Sequence, residues 1–204
     1  MTVQRTFALE SIRRKALILV WIGEVWNVFE AAIALWSAWV ASSVALLAFG
    51  LDSLIELFAG AVLIWRFQRE TSDESSAERK ALRLVGVTFF MLSAFIIFQS
   101  ITTLLGYFSQ PQPSFVGIFI TISSAVLMTI LFVFKSNIAG KLGSRALRAE
   151  AYESLFCDLQ DLVVLAGLGL NVLLGWWWAD PFVAMALIPL LIKEGLEAFK
   201  DEEN

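Results

Sequence analysis

Four acidic side chains fall inside two long apolar stretches of this chain, Asp52 and Glu56 in one, Asp158 and Asp161 in the other. An ionised group near the middle of a bilayer costs roughly 2.5–3.5 kcal/mol on insertion scales, so such residues usually face cavities and handle ions. Asp52 and Glu56 are four residues apart, which on a helix points both carboxylates to one face. Ser154, Asp158 and Asp161 form a single stripe in the second stretch, with Glu150 one turn earlier. Asp158 falls about ten residues into its helix, or roughly 15 Å deep at 1.5 Å per residue. Two helices thus carry acidic stripes at matched depth. Where such stripes pack together, carboxylate oxygens converge, and only a divalent cation or protons relieve the repulsion. A cation gains Coulomb attraction in a low dielectric, and low dielectric in general favours neutral acids, so protons can take its place. That is the chemistry of a cation/proton exchanger. A lone buried acid serves equally well as interhelical hydrogen-bonding glue, but paired stripes favour ion handling.

The elements that position these acids are membrane spans. The 204-residue chain is 58% hydrophobic and 17% charged, with a mean hydropathy of +0.75, whereas a soluble domain carries about 25% charged residues. A bilayer core needs about 20 apolar residues per helix. Six stretches meet that need: 16–39, 43–65, 82–107, 114–134, 148–174 and 178–199. The last has the shortest apolar part, because Lys193 and Glu194 interrupt it, and Trp176, Trp177 and Trp178 anchor its start at a headgroup layer. The expected fold is therefore all-α and polytopic, a single transmembrane domain over residues 1–204 with short tails, no cleavable leader and no soluble module.

All 15 basic residues fall on one side of this six-span arrangement. Arg5, Arg13, Arg14 and Lys15 precede the first span. Arg66, Arg69, Arg79, Lys80 and Arg83 follow the second, and Lys135, Lys141, Arg145 and Arg148 join the fourth to the fifth. The positive-inside rule then puts both termini in the cytoplasm, in a cell or inner membrane. Ser75 and Glu78 make a capping box for helix three, Ser114 caps helix four, and Asp180-Pro181 opens helix six.

Several classes are excluded by composition. With no histidine and a single cysteine, Cys157, there is no histidine catalysis, no cysteine metal cluster and no intrachain disulfide. No basic stripe suggests nucleic acid, no glycine-rich loop suggests a nucleotide, and neither an enzymatic activity nor a resident cofactor is expected. Helix one adds Glu24, Asn27 and Glu30. Glu24 and Glu30 lie about 120° apart on an ideal helix, which argues against one shared ligand sphere. Glu150 and Glu153 suit the cytoplasmic headgroup zone or a vestibule, and Cys157 suits a small apolar filler.

Two segments carry a family resemblance. FGLDSLIELFAGAVLIWRF (49–67) resembles the second transmembrane helix of cation diffusion facilitator (cation efflux) transporters, with its acid-x-x-x-acid metal pair. SRALRAEAYESLFCDLQDL (144–162) and WWWADPFVAMALIPLLIKEGL (176–196) resemble the fifth and sixth helices. The resemblance implies that Asp52, Glu56, Ser154 and Asp158 occupy the four ligand positions. Ser154 stands where the family usually has a histidine or aspartate, so Asp161, Cys157 or water is left to complete the shell. It also implies the branch without a C-terminal cytoplasmic domain, and a homodimer through helix three. The implied function is export of a divalent cation in exchange for protons. Zinc is the family's usual cargo, while the oxygen-rich ligand set also suits Mn²⁺, Mg²⁺, Fe²⁺ or Co²⁺. The alternative is a non-transporting membrane binding or assembly subunit that keeps the transporter fold.

Overall fold

Apolar stretches too long for any soluble core dictate long helices, since a helix satisfies every backbone polar group within its own segment. The computed structural model describes the backbone of residues 2–68, 75–142 and 145–200. Side chains are described there except at 2–13, 59, 62–68, 75–82, 85, 142, 145–146, 149–150, 198 and 200. The described residues form six helices and no strand: α1 (Thr2–Ala41), α2 (Val44–Gln68), α3 (Ser75–Leu104), α4 (Phe115–Leu142), α5 (Arg145–Leu174) and α6 (Ala179–Lys200). Segments Arg14–Ala41, Gly86–Leu104, Phe115–Lys141 and Ala151–Leu174 are long and apolar enough to cross a membrane. The chain is an all-α, polytopic membrane protein. The side chains of the Ser75–Glu78 capping box and of Glu150 lie outside the described residues.

The helices pair α4 with α5, α3 with α6 and α1 with α2, and α2 also meets α3, α5 and α6. The main apolar core surrounds α2, from Ala34 and Ala38 of α1 through Leu46 and Phe49 to Ile96, Val164, Leu168 and Leu187. Close approach of α3 and α6 depends on two glycines. A Cβ on Gly86 would stand 2.9 Å from the Gly195 carbonyl oxygen.

One end of the bundle is closed by hydrogen bonds between its three connections. Ser42, with φ of 52°, turns α1 into α2. Gln112 N donates to the Ala41 carbonyl at 2.7 Å. Asn171 Nδ2 donates to the Pro111 carbonyl at 3.0 Å, and the Ser37 and Ser114 hydroxyls are 2.6 Å apart. Ser114 also accepts from Gly117 N at 3.0 Å, so it caps α4 as its position foretold. Asp180 does something different from its expected role. It lies in the first turn of α6, and its carboxylate reaches across to the start of α2. There it accepts from the Ser43 hydroxyl and from Val44 N and Ala45 N at 2.7 and 3.2 Å. Fully buried, it supplies the negative charge that the otherwise unpaired amides at the start of α2 attract.

A second difference concerns Lys135. The apolar stretch stops at Phe134, and the lysine reads as the first residue of a cytoplasmic loop. α4 instead continues to Leu142, and Lys135 is buried within the bundle. The same extension places Lys141 on α4 as well. Two residues (143–144) separate α4 from α5, and they lie outside the described residues.

Candidate cation site

The half of the bundle that holds the middle of α1, the end of α4 and the start of α5 contains a small cleft of about 20 Å³. Glu24 and Asn27 of α1, Glu56 of α2, Lys135 of α4, and Glu153, Ser154 and Cys157 of α5 line it. Glu56 is held from two sides. Its Oε1 accepts from the Cys157 thiol at 3.0 Å, and its Oε2 lies 3.5 Å from Asn27 Nδ2. Glu24 lies flat on α2, where a Cβ built on Gly60 would stand 1.8 Å from Glu24 Oε1. Only a residue without a side chain leaves room for that carboxylate.

One turn from Glu56, Asp52 is buried with Oδ1 free of any hydrogen bond, while the Gln160 side chain of α5 reaches it. Asp161 is fully buried and neither of its oxygens makes a hydrogen bond, although Ser124 stands beside it. Glu30 sits between these groups. It accepts from Trp26 Nε1 at 2.5 Å, Ser53 Oγ at 2.8 Å and Ser124 Oγ at 2.6 Å. Three donors from α1, α2 and α4 thus satisfy one carboxylate, as a buried acid requires. Asp52, Glu56 and Asp161 are all within electrostatic reach of it.

The five residues singled out from sequence are therefore placed as follows. Asp52, Glu56 and Asp161 each lie within electrostatic reach of Glu30 without forming one ligand cluster. Asp158 points to the neighbouring α4, where Thr129 Oγ1 donates to its Oδ2 at 3.0 Å. Ser154 is buried and accepts from Lys135 Nζ at 3.1 Å. Among the described residues, no three acids or cysteines stand together at metal-ligand range. Glu24 and Glu30 occupy separate environments, in keeping with their angular separation. Sequence reasoning missed the inward reach of Lys135 and the approach of Gln160, and offered Cys157 only as a filler or a substitute ligand. Cys157 sits three residues from Ser154, close to its helix face, whereas Gln160, six residues on, is about 120° away and spacing gives no signal for it.

Long apolar helices with carboxylates set between them define a multi-pass integral membrane protein with an acid-lined polar cleft. The chain belongs to the cation efflux transmembrane domain family, whose model matches residues 20–202. It is similar to Transmembrane protein 163 of Xenopus laevis, at 24% identity over 159 residues, covering 76% of this chain and 56% of that protein. It is also similar to the cation-efflux pump FieF of Salmonella typhi, at 25% identity over 161 residues, covering 76% of this chain and 53% of that protein. The chain spans about half the length of these relatives.

Proposed function

We propose that this chain is the transport unit of a cation-efflux protein, moving a divalent cation out of the cytoplasm in exchange for protons. The observation that carries the reading is Glu56, a carboxylate that faces a polar cleft from the middle of α2. Asp52 follows one turn deeper, with an oxygen still unbonded. Family membership and a relative named as a cation-efflux pump support the same reading. Zinc is the cargo favoured by the resemblance, and Mn²⁺, Fe²⁺ and Co²⁺ are accepted by an oxygen-rich site.

In this reading both termini face the cytoplasm and the cleft admits the cation past Glu153. The cation binds Asp52, Glu56 and Asp158, with Ser154 or Asp161 completing the shell. Asp158 must then exchange its Thr129 hydroxyl for the cation, a change of side-chain direction that accompanies tightening of α5 onto α2. Rocking of the helices exposes the site to the far side, where protons displace the cation. The unit works as a homodimer in the same bilayer.

Asp52→Asn and Asp158→Asn are each expected to abolish zinc flux in reconstituted vesicles while inserting normally. Wild-type flux in both variants would remove the mechanism. A second reading, a non-transporting binding or assembly subunit, draws on the Lys135–Ser154 contact, since a built-in ammonium occupies a corner that a cargo ion would otherwise use. Calorimetry separates the two, because a subunit of that kind binds no divalent ion.

A further inference from the structure

Lysines near the end of a membrane helix ordinarily extend outward, laying their stems on apolar surface with the ammonium in water. Lys135 does the opposite. It is 5% exposed, and its ammonium turns across the bundle to donate to Ser154 Oγ on α5 at 3.1 Å. It comes to rest against α1, where a Cβ added to Gly23 would lie 3.9 Å from Nζ. The acids that share its cleft come from three different helices: Glu24 from α1, Glu56 from α2 and Glu153 from α5. A fixed positive charge thus stands among carboxylates, hydrogen-bonded to the weakest of the expected cation ligands.

We propose that the Lys135 ammonium is a tethered resident cation, holding the Ser154 corner of the cleft between transport events and displaced when a divalent cation binds. The inference rests on the transport reading above and adds a competitor to it. Like charges in a low-dielectric cleft repel strongly, so ammonium and cargo cannot occupy neighbouring positions together. The lysine has a flexible four-carbon stem, enough for the ammonium to swing away from Ser154 without moving α4. Two effects follow for the carrier. Cargo binds less tightly than the carboxylates alone would hold it, and so it is released faster. Any carboxylate that returns without a proton also keeps a positive partner, since bare negative charge in the membrane is costly.

Lys135→Met keeps the length and apolar volume of the stem while removing the charge. Purified full-length protein titrated with zinc should bind at least about tenfold more tightly in this variant. In vesicles its apparent KM for zinc should fall while its maximal rate also falls, because release and return are both slowed. A merely structural lysine would lower the rate without tightening binding. Lys135→Gln, which keeps a donor for Ser154, should show the same split and carries the test if the methionine variant does not fold. The outcomes separate the two readings. Zinc binding that depends on Glu56 but is unchanged or weakened in both lysine variants overturns this inference alone. Zinc binding that emerges only when the lysine is replaced overturns both, because an ammonium that no cargo displaces is a permanent occupant of a non-transporting fold. No zinc binding in any variant overturns both.

Discussion

A Glu56→Gln protein is expected to insert and purify like the parent chain yet to carry divalent cations at least about a hundredfold more slowly. The carboxamide has the shape of the carboxylate, and its oxygen can still accept from the Cys157 thiol that now lies 3.0 Å from Oε1. The fold therefore loses little. The charge loses much. Two unit charges about 4 Å apart attract by about 4 kcal/mol at an effective dielectric of 20, and a divalent cation doubles that figure. Dehydration of the ion consumes most of this attraction, but a remainder of about 2.7 kcal/mol already corresponds to a hundredfold in affinity. Flux measured with a zinc-sensitive dye inside vesicles decides the matter. A glutamine variant that transports at the parental rate would show that the cargo does not depend on the charge of Glu56.

Asp180→Ala should be the most damaging single change to stability, by about 2–5 kcal/mol, while Asp180→Asn stays within about 1 kcal/mol of the parent. The alanine leaves Val44 N and Ala45 N without their acceptor at the buried start of α2, together with the Ser43 hydroxyl. Each buried donor so abandoned costs about 1–3 kcal/mol. Asparagine retains one oxygen for the two amides, and its amino group donates to Ser43, whose hydroxyl both gives and accepts. Thermal inactivation in detergent, followed by loss of monodisperse protein, measures the difference. Equal thermal stability of alanine variant and parent would mean that the Asp180 clamp contributes nothing.

The helices and the acidic face of α2 were legible because both depend on patterns local to one stretch of chain. Asp52 and Glu56 face the same way in any helix, whatever surrounds it. α5 was harder. Spacing groups Ser154, Asp158 and Asp161 on one stripe, but residues 157 and 158 differ by about 100° around the axis. Which flank meets α2 and which meets α4 is set by how α5 packs, and no periodicity reports that. The outcome is Cys157 against Glu56 and Asp158 against Thr129. Lys135 was misplaced for a related reason. Its charge ends the apolar run, yet the helix continues because neighbours on α1 and α5 supply polar surroundings that hydropathy cannot register. Asp180 illustrates the same limit, since an aspartate before proline announces a helix start but not which helix its carboxylate will serve.

Cys157 is the only sulfhydryl in the chain, and it lies on the wall of the cleft with its hydrogen directed at Glu56. The protein thus carries its own accessibility gauge at the position of greatest interest. The rate at which a small maleimide modifies it reads how far the cleft stands open, without any engineered label or cysteine-free background. Saturating zinc should slow that alkylation and a chelator should restore it, and a rate indifferent to both would place the ion elsewhere.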